Sequence, residues 1–488
     1  MFIDFGYAKK MGGECILRFD DTNPTVEKTE YIDAIKEMVK WLGHEPAKIT
    51  FSSDYFDQLY DLAVELIKRG KAFVCHQTGE EISRDRKDGV ESPYRNRSVE
   101  ENLRLFTDMR KGKYAEGEAT LRMKIDMKCA NLVMRDPVAY RILHSPHPHV
   151  GDKWCVYPSY DYTHCIVDSL EWVTHSLCTL EFEIRRDSYY WLLEALDLYR
   201  PFVWESARLN LQYTVMSKRK LKQLVENNIV RGWDDPRMPT LVGMRRRGYP
   251  PAALNRFCSA VGISRATNVI GMHVLEYWVR SELDANAKRV LAVLRPLRLI
   301  ITNFRGEEKV TVANHPKNAG MGSREIKLSR TLYIDEMDFR MEDSKGYYGL
   351  APGKTAMLRY AYPVKIVKVV TGDNGKPCEL MGEFDYQKCS KPKGVLHWVG
   401  EDSVDFEARL YSTLFKSEDP SSLNNEWLED LNEEGEVVVD GAKIESSAVS
   451  SDVRTTFQFE RTGYFTVDND STAKKPVFNM TVSLRDSR

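Results

Sequence analysis

Two neighbouring aspartates, Asp20 and Asp21, follow the strand-like segment 15–19, and the basic pentapeptide Met216-Ser-Lys-Arg-Lys220 follows the strand-like segment 207–211. A carboxylate at the carboxyl end of a parallel strand, where open α/β sheets bind ligands, can hold an ammonium group through a charge-assisted hydrogen bond. The same spacing also suits Asp21, Thr22 or Asn23 as a helix cap before Pro24. The pentapeptide opens a helix and can present Lys218 to a triphosphate, with Ser217 and backbone N–H groups as further donors. An ammonium there offsets the negative charge that spreads over phosphoryl oxygens during attack on phosphorus. Taken alone, it reads more readily as a solvated basic turn. Cys155, His164, Cys165, His175 and Cys178 match no compact Cys-x-x-Cys knuckle, so no metal is expected there, and several should alternate across a buried sheet. The stretch lacks a Gly-x-Ser-x-Gly elbow, which disfavours a triad hydrolase.

The elements that must position these groups are visible in the periodicity. Ile32, Ile35, Val39 and Leu42 predict one helix face, with Gly43 as its stop. Ser53 or Asp54 is expected to cap the next helix, with Phe56, Leu59, Ala63 and Ile67 inward and Gly70 ending it. Strands are predicted over 15–19, 172–177 and 207–211, with a helical stretch after Tyr160. Strands separated by helices imply a doubly wound parallel sheet. Residues 84–158 are long enough to form an inserted subdomain, and 220–286 read as helical. Beyond residue 290 short strands alternate with turns, among them 364–370 before Thr371-Gly-Asp-Asn-Gly375 and 437–439 before Asp440-Gly441, the pattern of β-barrels.

Composition bounds the function. A chain of 488 residues suggests roughly three domains. With 42% hydrophobic and 29% charged residues, wholesale disorder is excluded. No apolar run spans a bilayer, since even 290–301 is interrupted by Arg295 and Arg298, and the first ten residues are too mixed for a signal peptide. Nine scattered cysteines read as reduced cytosolic thiols. The net charge of −2 conceals basic clusters at 84–87, 218–222 and 245–247. Each could neutralise phosphates or be a solvated helix face.

Longer stretches carry a resemblance. Leu17-Arg-Phe-Asp-Asp-Thr-Asn-Pro24, Ser53-Asp-Tyr-Phe-Asp-Gln58, Tyr160-Asp-Tyr-Thr-His-Cys165, Thr174-His-Ser-Leu-Cys-Thr-Leu-Glu-Phe182 and Val215-Met-Ser-Lys-Arg-Lys-Leu221 are similar to the glutaminyl-tRNA synthetase family. So are Gly151-Asp-Lys-Trp-Cys155, Trp233-Asp-Asp-Pro-Arg237, Arg245-Arg-Arg-Gly-Tyr249, Phe457-Gln-Phe-Glu-Arg461 and Lys475-Pro-Val-Phe-Asn479. The matches run in order along essentially the whole chain. The resemblance implies a multidomain α/β plus all-β protein. Its parts would be a Rossmann-like class I catalytic domain (1–49 and 160–208), an inserted acceptor-stem-binding domain (50–159), a helical subdomain with the Met-Ser-Lys loop (209–286) and two anticodon-binding β-barrels (287–488). It implies ATP-dependent activation of glutamine, with Mg²⁺ accompanying ATP, and transfer to the terminal adenosine of tRNA(Gln). Other synthetases would be further partners. By resemblance, Asp20 and Tyr160 hold the glutamine, and Cys178 stands where glutamyl-tRNA synthetases usually carry arginine. Thr179, Arg208 and Leu209 match positions around ATP, and Met216, Ser217 and Lys218 match the mobile signature loop. Arg289, Arg359, Gln458 and Arg461 match positions that read anticodon bases, which planar donors suit.

Three departures stand out. The family places a strand and a His-Ile-Gly-His helix opening ahead of the stretch matching 2–9, and Met1 stands after both. The resemblance therefore implies an unpartnered strand edge and a truncated gene model or cloned fragment, and it leaves open whether the chain as written is an active glutamine enzyme, a glutamyl or dual-specificity one, or an inactive tRNA-binding form. Val203 replaces a glutamine that helps order the amino-acid pocket. Tyr348-Gly349 replaces a Lys-Arg pair used near the anticodon.

Overall fold

A computed structural model describes residues 1–25, 29–373, 375–424, 426–449 and 451–485. The chain divides into two compact units, Met1–Leu209 with Gly262–Asn268, and 210–261 with 269–488. No helix among the described residues is long and apolar enough to cross a membrane.

In the first unit, helix α1 (Phe2–Met11) leads into strand β1 (Ile16–Phe19). After helix α2 (Thr29–Trp41), strand β2 (Lys48–Phe51) pairs with β1 in parallel, Phe19 opposite Phe51. Met38 and Val39 on α2 and Leu42 just past its end are buried, but Ile35 is exposed, so the inward face is narrower than its periodicity predicts. Gly43 has φ +83°, a left-handed stop open to glycine. Helix α3 (Phe56–Lys68) buries Phe56, Leu59, Ala63 and Ile67. Ser53 does not cap it, because both its N–H and its hydroxyl donate to Asp21. Asp54 instead accepts from the Phe51 N–H at 2.9 Å and caps the single turn Ser52–Tyr55.

An antiparallel sheet follows, of β3 (Ala72–Cys75), β4 (Thr120–Met123), β5 (Val138–Ile142) and β6 (Val156–Pro158) in that order. Helices α4 (Gly79–Asp88) and α5 (Val99–Arg110) lie between its first two strands. Helix α6 (Tyr160–Leu170) comes next, its N-cap Ser159 accepting from the Tyr162 N–H. One apolar cluster runs through Phe56, Phe106, Leu121, Tyr140, Ile166 and Leu192, so the inserted sheet and α6 share a core. That shared burial fixes where Tyr160 stands.

The predicted strand 172–177 falls later, as β7 (His175–Thr179). Trp172, at φ +56°, belongs to the helix stop: its N–H and that of Val173 donate to Ser169 and Asp168 carbonyls. After helix α7 (Arg186–Leu196), strand β8 (Phe202–Ser206) pairs with β7 in parallel. The sequence reading missed β8 and placed a strand at 207–211, where only Leu209–Leu211 is extended. The two parallel pairs are separate two-stranded sheets among the described residues.

The second unit opens with helices α8 (Lys218–Glu226), Leu241–Arg247, Pro251–Val261 and Met272–Asn286. Two seven-stranded mixed sheets follow, each with its own apolar cluster. Pro363–Thr371 and Pro377–Phe384 form the expected hairpin, with Gly375 at φ +73°; Asn374 of its turn lies outside the described residues. At Asp440-Gly441 the expected turn is absent. The strand Glu436–Ile444 runs straight through, and Gly441, at φ +72°, sits where the register against Val404–Tyr411 shifts between Phe406 and Ala408. A left-handed glycine there makes a bulge instead of a reversal. The second sheet also takes its two ends from upstream: Lys288–Val290 pairs with Thr456–Phe459, and Ala292–Val293 with Glu436–Ile444.

Candidate functional site

The adjacent aspartates at the end of β1 have different environments. Asp21 is buried, accepts from the Ser53 N–H at 2.9 Å and its hydroxyl at 2.6 Å, and its carbonyl accepts from His147 Nε2 at 2.6 Å. It braces the loop. Asn23 accepts from the Thr25 N–H and hydroxyl, a local turn. Asp20 accepts from Ser52 Oγ at 3.1 Å and keeps surface exposure, yet protein crowding raises its carboxyl above the usual range, opposed by that bond and the His164 and Arg18 charges. Of the two, Asp20 is the one available to a ligand.

Tyr160 opens α6 over a cleft lined also by His164, Cys178, Phe182, Val203 and Glu205. Its hydroxyl lies 3.2 Å from His164 Nδ1, and burial, with the charges of Cys178 and Asp20, pushes its pKa up. His164 Nε2 faces Asp168 Oδ2 at 3.2 Å, and Asp168 also accepts from Ser176 at 2.7 Å, Tyr189 at 2.9 Å and Arg18. Arg18 bonds Glu171 at 2.8 Å, which accepts from the Tyr55 hydroxyl at 2.9 Å. Burial alone would raise the Asp168 carboxyl, but His164 and Arg18 hold it below the usual range; burial in turn lowers His164, against the pull of Asp168. Sequence reasoning missed this buried chain. The i, i+4 spacing of Tyr160, His164 and Asp168 on one helix face was its only signal.

Cys178 stands on β7 within the cleft. Burial, with the charges of Asp168 and Glu205, pushes its thiol up to about 11, so it is neutral at physiological pH. The two guanidinium groups nearby are engaged, Arg185 by Asp161 and Arg186 by buried Glu205. Arg185 also lies 5.7 Å above the Tyr160 ring. Neutral iodoacetamide labelling, read by mass spectrometry, is expected to be at least about tenfold slower at Cys178 than at exposed Cys378 and Cys389. Equal rates would contradict a raised thiol. The five Cys and His residues weighed for zinc do not alternate across one sheet: His164 and Cys165 are on α6, His175 and Cys178 on β7.

Thr179 ends β7, and Arg208 pairs with Glu181, whose carboxyl is held down against burial by its own backbone, Thr179 and Arg208. Leu209 follows at the start of Leu209–Leu211. None of the three lines the cleft, nor does Asp20, although the Asp20 charge reaches Tyr160 and His164. Met216, Ser217 and Lys218 belong to the second unit, where all three are exposed and Ser217 is the N-cap of α8 without a side-chain cap bond.

The four candidate RNA-reading residues are already engaged by protein. Buried Arg289 donates to the Ala287 and Asp284 carbonyls and to Asp284 Oδ1 at 2.6 Å. Gln458 pairs with it in register and donates to the Tyr464 hydroxyl at 3.0 Å. Arg359, just past Thr355–Leu358 of the first sheet, bonds Glu460 in the turn after Thr456–Phe459 of the second, and Arg461 in that turn bonds Asp338, which follows Thr331–Asp335 of the first. Tyr348-Gly349 lies beside that corner, since a Cβ on Gly349 would come within 2.5 Å of the Asp338 carbonyl.

Two basic runs are partly taken up by protein, although Arg84 and Lys87 stay exposed. Arg86 donates to the Arg135 and Leu132 carbonyls. Buried Arg246 binds Asp234, Asp468 and Asp470, while Arg247 donates to the Thr481 and Tyr411 carbonyls.

The parallel strand pairs, the inserted antiparallel sheet and the two C-terminal sheets are those of a class I aminoacyl-tRNA synthetase. The family description "tRNA synthetases class I (E and Q), catalytic domain" matches residues 1–285, and its anticodon-binding domains match 287–386 and 395–468. The chain belongs to this family. It is 53% identical to the cytoplasmic glutamine–tRNA ligase of Arabidopsis thaliana over all of this chain and 63% of that protein. It is 52% identical to a probable glutamine–tRNA ligase of Dictyostelium discoideum, again over all of this chain and 63% of the relative. The glutamine–tRNA ligase of Stutzerimonas stutzeri is 48% identical over 99% of this chain and 90% of its own length. The chain thus spans under two thirds of the eukaryotic relatives' length and most of the bacterial one's.

Proposed function

We propose that the chain acts as a glutamine–tRNA ligase: it activates L-glutamine with ATP to glutaminyl adenylate and passes the acyl group to the terminal adenosine of tRNA(Gln). The carrying observation is the cleft, where a neutral thiol and a tyrosine hydroxyl face a space whose arginines are already paired with carboxylates. An amide side chain suits such a surface, whereas a glutamate carboxylate would be buried without a partner. Asp20 would hold the substrate ammonium, and Tyr160 and Cys178 would face the amide. Thr179, Arg208 and Leu209 would border the adenosine phosphate, and Met216, Ser217 and Lys218 would serve the triphosphate. No protein nucleophile is required, because adenylate formation depends on positioning and charge stabilisation. Mg²⁺ would come with the triphosphate.

Residues 1–49 and 160–208 would carry the catalysis, 50–159 would bind the acceptor stem, 209–286 would present the lysine loop and 287–488 would bind the anticodon. Arg289, Arg359, Gln458 and Arg461 would meet its bases. A cytoplasmic location and association with other synthetases belong to the same reading.

Charging assays with both amino acids test it. Glutamine should be strongly preferred, and preferential use of glutamate would overturn the assignment. RNA binding without tRNA-dependent pyrophosphate exchange would make the chain a tRNA-binding protein instead.

A further inference from the structure

Arg461 lies in the tight turn between Thr456–Phe459 and Gly463–Val467 at φ +68°, a left-handed conformation that a bulky side chain adopts only under constraint. The constraint is visible at its other end. Nη1 and Nη2 donate to the two oxygens of Asp338 at 2.7 and 2.8 Å, so the end-on fork of the guanidinium is filled. Nη1 also lies 2.9 Å from His397 Nδ1. That nitrogen must accept, and buried His397, its pKa lowered to about 4 by burial and then by Arg461, is neutral at physiological pH and can do so. Nη1 thus spends both hydrogens. Nε–H and the outer Nη2–H remain, a parallel two-donor edge for which the described residues supply no partner, on a side chain about one third exposed.

We propose that Asp338 is a specificity-determining residue for RNA, holding Arg461 so that its side-on Nε/Nη2 edge reads a nucleobase edge with two adjacent acceptors. The inference rests on the reading that Arg461 meets RNA. Guanine O6 and N7 or cytosine O2 and N3 offer such an edge. A backbone phosphate presents the same acceptor spacing, and the Asp338 carboxylate is what disfavours it: the pair is neutral, so it exerts little pull on a polyanion. The carboxylate also removes rotamer freedom from a long side chain, so a base meets a pre-set donor pair. The device separates selectivity from general affinity, for Arg461 contributes direction and little net charge.

The test compares Asp338→Asn, Asp338→Glu and Arg461→Ala, using transcripts of tRNA(Gln), transcripts with single anticodon substitutions, and poly(A) as a generic polyanion. Asp338→Asn keeps the size of the side chain and removes its charge. Its affinity for poly(A) should rise severalfold, with the log–log salt slope steeper by about 0.7, one further phosphate on a single strand. Its discrimination among anticodon variants should fall about tenfold. Asp338→Glu, which retains the charge, should keep the wild-type salt slope. Arg461→Ala should lose discrimination about tenfold or more without gaining poly(A) affinity. If Arg461→Ala changes discrimination and Asp338→Asn alters neither discrimination nor salt slope, the role of Asp338 is overturned while the RNA reading stands. If Arg461→Ala leaves anticodon discrimination unchanged, the underlying reading fails. Equal losses in Asp338→Asn and Asp338→Glu with an unchanged salt slope would reduce Asp338 to a structural brace and also overturn the proposal.

Discussion

On the proposed reading, Lys218→Ala should lower tRNA-dependent pyrophosphate exchange with glutamine by about 10²-fold or more and leave tRNA binding nearly intact, the scale of removing a key transition-state donor. The expectation follows from where the residue stands. Lys218 is the first residue of α8 and is exposed, and the cap before it, Ser217, spends no side-chain bond on the helix. Removing an exposed ammonium leaves the fold largely untouched, so a lost rate would report chemistry. A flexible point charge can follow charge as it moves over the phosphoryl oxygens, which a planar guanidinium does less readily. An exchange rate unchanged in the variant would discard this role.

Arg246→Ala should cost about 3–5 kcal/mol of stability in the second unit, the scale for stripping one partner from a buried ion pair. Arg246 bonds both oxygens of Asp468 at 3.0 Å, Asp470 at 2.9 Å and Asp234 at 3.0 Å. Its loss leaves fully desolvated Asp468 to Arg409 and Asn479. The next turn tolerates little adjustment, because a Cβ on Gly248, at φ +96°, would fall 2.5 Å from Thr481 Oγ1. Burial alone would raise the Asp468 carboxyl, yet the Arg246 bonds and the Asp470 N–H hold it down to about 2. A folded value below the unfolded one, about 4, means that this stability is complete above pH ~4 and is lost as pH falls toward 2. In Arg246→Ala the acid transition should therefore move to higher pH. Urea and acid titrations followed by near-ultraviolet circular dichroism measure both effects. A variant as stable as the parent, with the same acid midpoint, would show the cluster to be of no energetic consequence.

What the residues disclosed depended on how local the determinant was. The face of α3 and the hairpin flanking residue 374 follow from period and turn chemistry within a few residues, and both form. The stop of α6 was misread as the start of a strand, because Trp172 and Val173 look extended by residue type while their N–H groups close the helix. Asp20 and Tyr160 were singled out through the resemblance. The chain from Tyr160 through His164 and Asp168 to Arg18 was not, since Arg18 and Asp168 are distant in sequence and meet only in the folded unit. The run 245–247 misled in the other direction. Charge composition cannot say that Arg246 will meet an acidic cluster more than two hundred residues later. Arg359 and Arg461 were singled out by the resemblance, but nothing local to either says that Glu460 or Asp338 will engage it.

The interleaving of the two C-terminal sheets bears on how the chain is made. Lys288–Val290 and Ala292–Val293 emerge from the ribosome before any strand of the first sheet, yet Lys288 pairs with Phe457, about 170 residues later. The first sheet, contained within residues 296–400, can close as soon as it is synthesised. The second must wait with its upstream ends unmatched until translation is nearly finished. A nascent chain stalled between the two should therefore carry one finished module and two orphan strand ends, the state in which chaperone capture or misassembly would begin.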